Sequence, residues 1–456
     1  MLFNSQIFLL VFLPLTLACF YLAAARRPLR TWLLIAASFV FYGYWDVRLI
    51  PLLAGSIVVN WGLSLLLGVW PRRWIVALGV GANLALLGVF KYADFAAGTL
   101  AALVGGAHMP WDIVLPLGIS FFTFQQLSYL VDRGRGRAPR YGFRDYCLYV
   151  SFFPQLIAGP IVRHNEIIHQ FSLDPLRPGV AERLGRGLAL FLIGLAKKVF
   201  IADALADGVD PVFAAAAVGK TLAGWDAWIG GLGFTLQIYF DFSAYSDMAI
   251  GLALMMGLVL PVNFSAPFRA TSIREFWRRW HMTLSRFLRD YLYIPMGGSR
   301  HGAARQVTAL MATMLLGGLW HGAGWTFVLW GGLHGAALAV NHLWSRIGVK
   351  LPVPAGWLVT FAFVVAAFVV FRAESLAASL SVFAGMIFHD GAGAPPESKA
   401  IWTVLGALAV ALLCPTSQRL ALEKLAPRPV YAVAGAVVAL LVLLYVGTGQ
   451  NAEFIY

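Results

Sequence analysis

The sequence predicts an all-α polytopic membrane protein, with about 11–12 transmembrane helices and with re-entrant or interfacial segments around a central chamber. Two observations carry this fold class. Of the 456 residues, 60% are hydrophobic, whereas soluble domains carry about 45–50%. Only 12% are charged, against about 25% in ordinary domains. A soluble enzyme and a nucleic-acid-binding domain are therefore excluded, despite the formal net charge of +13.

The apolar runs define the candidate spans. The first run, Ile7 to Ala24, has no positive side chain before it and is followed by Arg26 and Arg27, which is the reverse of a secretory signal peptide. It is therefore expected to remain in the protein as a span. Runs approaching the length of about 20 residues that crosses the hydrocarbon core occur near 7–24, 31–47, 50–69, 74–90, 112–131, 184–204, 223–240, 306–320, 324–344, 353–371, 400–415 and 428–448.

Lys and Arg are concentrated in loops on one side of these spans, and the positive-inside rule makes that side cytoplasmic. Both chain termini are then predicted to lie outside. Lys197 and Lys198 do not fit, because they fall near the outer end of the run 184–204, where they must snorkel or face the chamber. The arginine-rich loops predicted to lie inside are 132–146, 163–183 and 269–305.

Three stretches interrupt the alternation of spans. Segment 146–162 contains Pro154 and Gly159, and we expect it to dip into the membrane and return. Because non-helical backbone at that depth needs protein or water partners, this segment indicates an internal chamber. Segment 247–260 is predicted to be a half-helix, and segment 375–389 is predicted to lie along the outer interface.

The chain has no feature of a metal site or of a separate soluble domain. Its three cysteines, Cys19, Cys147 and Cys414, are far apart and lack ligand spacing, so we expect neither a disulfide nor a metal site. A single membrane domain is predicted over 1–456. Because the sequence has no nucleophile elbow, Walker loop or His-Glu-x-x-His motif, the hydrolase, ATPase and zinc-protease classes lose their usual support.

Ionisable groups inside apolar sequence are costly, so each suggests a function. The stretch 237–247 contains Asp241, Asp247 and several hydroxyls. These groups form either a polar network that locks helices together or the lining of a wet cavity for a polar ligand.

The arginines that flank aromatic residues near the predicted cytoplasmic boundary also have two interpretations. Arg278, Arg279 and Arg300 are typical of an interfacial belt, which we favour for the arginines considered alone. Guanidinium groups also bind phosphates in a bidentate manner, so the alternative interpretation is that the three residues hold the phosphates of a cytoplasmic cofactor.

One histidine stands out from the others. His321 lies between glycines, where two apolar runs meet, and no Asp, Glu, Lys or Arg lies between Arg305 and Arg346. A lone histidine is more often structural, but neutral imidazole is a common general base near pH 7, so both roles stay open. His334 lacks such a setting and is predicted to make a helix–helix hydrogen bond.

Five motifs together resemble the membrane-bound O-acyltransferase family, and within it the branch of the alginate O-acetyltransferase membrane component. With the weaker match 41–46 and the Gly-Leu-Ala-Lys-Lys segment 194–198, the likeness extends over most of the chain. The five motifs are Phe-Phe-Pro-Gln-Leu-Ile-Ala-Gly-Pro at 152–160, Tyr-Phe-Asp-Phe-Ser at 239–243, Phe-Trp-Arg-Arg-Trp-His at 276–281, Tyr-Ile-Pro-Met-Gly-Gly at 293–298 and Gly-Leu-Trp-His-Gly at 318–322.

The resemblance implies an acyltransferase of the bacterial inner membrane, with His321 at the family's essential histidine and His281 at its second polar position. It further implies acetyl-CoA as the acyl donor, with no bound cofactor, and an extracytoplasmic polysaccharide as acceptor, reached through an extracytoplasmic acyltransferase partner. Two alternatives are kept: a transporter of polysaccharide or lipid-linked sugar, and a lipid acyltransferase. Inverted repeats, which would favour a transporter, are not visible in the sequence.

The charge asymmetry generates a topological prediction. In a cysteine-free background, a cysteine introduced in 133–140 should not react with a membrane-impermeant maleimide in intact cells, because this arginine-rich loop is cytoplasmic. A cysteine in place of Glu397, in a predicted outside loop, is the reactive control. Labelling of the 133–140 position in unbroken cells contradicts the assignment.

Overall fold

The computed structural model describes residues 1–111, 113–300, 302–426 and 428–447, and within these ranges it contains helices and loops but no strand. The predicted position of the C-terminus, on the outer side of the membrane, concerns residues that are not among those described. The α-helices are α1 Leu13–Leu22, α2 Arg27–Gly43, α3 Ile50–Val69, α4 Arg73–Leu103, α5 Ile119–Gly134, α6 Phe143–Ser151, α7 Phe153–Leu156, α8 His164–Ile167, α9 Val180–Lys197, α10 Asp203–Ala217, α11 Gly224–Met255, α12 Ile273–Arg279, α13 Met282–Leu288, α14 Gly302–His321, α15 Trp325–Ile347, α16 Val353–Arg372, α17 Leu376–Met386, α18 Ser398–Leu413 and α19 Pro429–Gly447.

The all-α membrane fold class is confirmed. Four described helical segments are long and apolar enough to cross a bilayer: Val47–Val69, Arg73–Leu103, Val353–Arg372 and Pro429–Val446. The other described helices fall short of that length or apolar character, so the number of crossings and the central chamber stay predictions. α17 has 11 residues, which at a rise of about 1.5 Å per residue is too short to cross the membrane.

The described chain forms two compact units, each assembled from distant parts of the sequence. The first contains Met1–Leu195, Tyr245–Val262 and the described residues from Ala421 onward. The second contains Ala196–Ala244 and the described part of Asn263–Leu420. The prediction of one domain over 1–456 is not tested by this division.

Helix α11 corrects the sequence-based boundaries. A span at 223–240 and a half-helix at 247–260 were expected, but residues 224–255 form one continuous helix. Asp241 and Asp247 lie within this helix, and both residues are fully buried in protein. The helix ends at Met255. Gly257 follows with a φ of +78°, and the N–H groups of Gly257 and Leu258 donate to the carbonyls of Leu254 and Ala253 respectively, as in a Schellman motif.

Two further boundaries differ from prediction in the first unit. α4 extends beyond the predicted span 74–90 through Lys91 to Leu103, because the sequence after Lys91 is rich in alanine and continues the helix. α5 begins at Ile119 instead of near 112, since Gly118 has a φ of +74° and interrupts the run.

The broken segment 146–162 is confirmed as irregular. Helix α6 ends at Ser151, the four-residue helix α7 follows, and no helix is assigned between 157 and 163. Protein groups satisfy its polar backbone: the Phe153 N–H donates to the Ser38 hydroxyl at 3.1 Å, and the Tyr149 hydroxyl donates to the Val162 carbonyl at 3.3 Å. The segment is therefore stabilised by protein hydrogen bonds, as non-helical backbone at membrane depth requires.

Helices α14 and α15 in the second unit approach each other through glycines. A Cβ atom on Gly318 of α14 would collide with the Phe327 carbonyl oxygen of α15, and a Cβ on Gly331 of α15 would collide with the Met314 carbonyl oxygen of α14. Small residues allow this close backbone approach, which is typical of helix packing in membranes. The pair holds the end of α14 in a fixed position.

This packing predicts different outcomes at two adjacent glycines. Gly331→Ala should destabilise the protein by about 1–3 kcal/mol, because a methyl group in a filled interface forces the helices apart. Gly332→Ala is the control, since a Cβ there would lie at an ordinary 3.6 Å from Leu315. Thermal unfolding in detergent measures the difference, and equal stability of the two variants contradicts the packing argument.

Candidate active site

His321 is the last residue of α14, at the turn into α15. The residue is half-buried, and its ring packs edge-on against two aromatic rings, Trp330 at 5.0 Å and Phe371 at 5.4 Å between centroids. Glycine is required beside it, because a Cβ on Gly322 would collide with the Phe327 ring. The glycine-flanked setting seen in the sequence therefore results from crowding by aromatic side chains.

His281 lies between the two short helices α12 and α13 and is fully buried. Its backbone is left-handed, with a φ of +39°, and it caps the N-terminus of α13. The ring nitrogen Nδ1 is 3.1 Å from the side-chain oxygen of Asn263. Burial lowers the pKa of His281 to about 3, so the imidazole is neutral at physiological pH.

Trp320 brings the two predicted histidines to one place in the second unit. Its ring centroid is 5.0 Å from that of His321 and 6.1 Å from that of His281. A neutral imidazole has one ring nitrogen that can accept a proton or a hydrogen bond. Two imidazoles beside one buried tryptophan can therefore act on a polar ligand in an apolar setting. This arrangement is therefore a candidate for acid–base chemistry.

The three predicted arginines differ in their surroundings. Arg278 and Arg300 are exposed, whereas Arg279 donates to the Glu275 carboxylate at 2.6 Å, one helical turn away. The pair is half-exposed, and hydrogen bonds from Thr271 and Arg279 outweigh burial and lower the pKa of Glu275. The side chain of Arg279 is therefore engaged within the protein, while Arg278 and Arg300 face outward.

Lys198, which does not fit the predicted span 184–204, has a structural role. Lys198 is buried, and its ammonium lies 2.7 Å from a carboxylate oxygen of Asp241 and 2.9 Å from one of Asp203. This cluster favours the polar-network interpretation for Asp241. Sequence reasoning missed Asp203, although its position five residues after Lys198 was a usable signal.

His334 makes the predicted helix–helix hydrogen bond. The indole N–H of Trp277 on α12 donates to the Nδ1 nitrogen of His334 on α15 at 3.2 Å. His334 is also fully buried, so its role is structural.

Asn263, which contacts His281, was missed because nothing in the sequence near 263 marks it as part of a site.

Comparison with known proteins identifies the family of the chain. The family model of the membrane-bound O-acyltransferase family matches residues 119–383. The peptidoglycan O-acetyltransferase of Helicobacter pylori is 42% identical over 430 residues, which cover 86% of this chain and 80% of that protein. A probable alginate O-acetylase of Pseudomonas aeruginosa is 42% identical over 398 residues, 85% of this chain and 75% of that protein.

A more distant relative is the teichoic acid D-alanyltransferase of Bacillus subtilis, 25% identical over 291 residues, 62% of this chain and 72% of that protein. The matched region 119–383 is more than half of the 456-residue chain, and it contains both His281 and His321. The chain belongs to the membrane-bound O-acyltransferase family and is an acyltransferase.

Proposed function

We propose that the protein transfers an acetyl group from cytoplasmic acetyl-CoA across the bacterial inner membrane, for O-acetylation of an extracytoplasmic polysaccharide. The observation that carries the proposal is the meeting of His321 and His281 at Trp320. The class of acceptor is supported by the relatives whose names state peptidoglycan or alginate as the acetylated polymer.

In the proposed reaction, the imidazole of His321 accepts the proton of the acceptor hydroxyl as that oxygen attacks the thioester carbonyl. The new C–O bond forms, the C–S bond breaks, and the proton passes to the departing thiolate, so the products are the O-acetyl ester and free CoA. His321 is half-buried, which gives the ring both access to substrate and an apolar neighbourhood. General-base catalysis of this kind contributes about 10²–10⁴-fold to a rate.

The donor is proposed to bind at the cytoplasmic face through Arg278, Arg279 and Arg300. Guanidinium groups bind phosphate oxygens in a bidentate manner, and the exposed Arg278 and Arg300 are the side chains that a CoA phosphate would reach first. Arg279 is held by Glu275, whose carboxylate compensates its charge, so it is proposed as the weakest of the three contacts. This assignment takes the phosphate-binding alternative of the sequence analysis.

The acceptor side is proposed to involve a second protein. Acetyl-CoA is cytoplasmic, whereas the polymers named for the relatives lie outside the membrane, so the acetyl group must cross. We infer that the hydroxyl acetylated in this reaction belongs to an extracytoplasmic acyltransferase partner, which collects the acetyl group as an ester and delivers it to the polymer.

Replacement of His321 by alanine should lower acetyl transfer by about 10²–10⁴-fold, because the general base is removed. Transfer is measured as free CoA released from labelled acetyl-CoA by purified protein with an acceptor. His389→Ala is the matched control, since His389 is an exposed histidine beside Asp390. Full activity of the His321 variant at normal expression means that the mechanism is wrong.

The partner hypothesis makes a separate prediction. Deletion of an extracytoplasmic acyltransferase encoded beside this chain should stop polymer acetylation, because the acetyl group then has no route from the membrane to the glycan. Immunoblotting should show that the membrane protein is still present. Efficient acetylation of the polymer by this chain alone in reconstituted vesicles overturns the relay.

A further inference from the structure

Asn263 lies in the loop between α11 and α12 and is fully buried. Its side-chain oxygen Oδ1 accepts two hydrogen bonds from Thr283, one from the backbone N–H at 3.3 Å and one from the hydroxyl at 2.9 Å. A backbone N–H can only donate, so the atom facing it must be the amide oxygen and not the amide nitrogen. These contacts therefore fix the orientation of the Asn263 amide.

The same oxygen determines which nitrogen of His281 carries the proton. The Nδ1 atom of His281 lies 3.1 Å from Asn263 Oδ1, and an amide oxygen has no proton to give. His281 must therefore donate from Nδ1. Because a neutral imidazole carries one ring proton, the Nε2 atom is unprotonated and can only accept.

The rest of the pocket holds the ring in this orientation. Phe242 packs edge-on against His281, with ring centroids 4.7 Å apart at 90°, and Phe264 stacks on it at 6.4 Å. The Met282 N–H donates to the backbone carbonyl of Asn263 at 2.9 Å, beside the left-handed backbone of His281. A non-glycine residue in that conformation persists only where its surroundings determine it.

We propose that Asn263 is a positioning residue for acyl transfer, which holds His281 in the Nδ1–H tautomer so that Nε2 accepts a hydrogen bond from a hydroxyl or amide N–H of the substrate. The inference rests on the proposed function, to which it adds that His281 contacts substrate. His281 is thereby assigned the role of a hydrogen-bond acceptor. In this tautomer the neutral ring cannot donate a hydrogen bond from Nε2 to a developing oxyanion.

Three variants test the role of Asn263. Asn263→Leu removes the acceptor and should lower kcat on the order of 10–100-fold, as removal of the partner that fixes the tautomer of a metal-bound histidine does. Asn263→Asp keeps the acceptor oxygen and adds a negative charge, which favours the imidazolium ion. Its activity at high pH should stay near that of the wild type, and the acid limb of its pH–rate profile should move to higher pH.

Thr283→Val is the matched control, because it removes the hydroxyl but keeps the backbone N–H that orients the Asn263 amide, and it leaves the Asn263–His281 hydrogen bond. It should keep wild-type kcat and an unmoved acid limb. If Thr283→Val loses as much activity as Asn263→Leu, the role of Asn263 is to stabilise the loop and the proposal is wrong. A wild-type pH profile for Asn263→Asp also overturns it.

A spectroscopic measurement separates this inference from the proposed function. In protein labelled with ¹⁵N-histidine, the signals lost in His281→Gln identify His281, and their shifts should be those of a protonated Nδ1 and an unprotonated Nε2. The opposite tautomer refutes the inference whatever the activity. If the tautomer is as expected but His281→Gln is fully active, the proposed catalytic contact of His281 is what fails.

Discussion

The close approach of helices α14 and α15 is the interaction on which the site depends. Lipid tails are as apolar as leucine side chains, so transmembrane helices associate mainly through van der Waals packing and interhelical hydrogen bonds. Gly318 and Gly331 bring the two backbones together. This contact places His321 at the end of α14 against Trp330 of α15, and a bulkier residue at either glycine would move the histidine away from its aromatic neighbours.

A second constraint is the cost of polar groups in an apolar protein. An unsatisfied buried polar group costs about 1–3 kcal/mol and a charged one more, and the described contacts show how this chain avoids that cost. Lys198 is paired with Asp203 and Asp241, while Asn263 receives hydrogen bonds from Thr283 and His281. These buried polar residues are each held by a partner. For His281 the partner is Asn263, and the proposed tautomer of the imidazole follows from that contact.

The features that could be predicted from the sequence are those that depend on a short stretch of residues. Hydropathy predicted the helical membrane class, and the glycines around His321 marked the turn between α14 and α15. The pairing of Lys198 with Asp241 and the contact of Asn263 with His281 could not be predicted, because they depend on tertiary packing. The half-helix at 247–260 was wrong, because it was inferred from the arginine-rich sequence that begins at 269, whereas residues 224–255 form one continuous helix.

The central claim is that acetyl groups pass from the cytoplasmic face to the outside through the site at His321. Inverted membrane vesicles that expose the cytoplasmic face and enclose both the partner and the polysaccharide test it directly. Labelled acetyl-CoA is added to the outer medium, and label on the enclosed polysaccharide is measured. The account predicts that label accumulates on the enclosed polymer with the wild-type protein and that none accumulates with His321→Ala. Equal labelling with both proteins, or labelling only when acetyl-CoA is placed inside the vesicles, would contradict it.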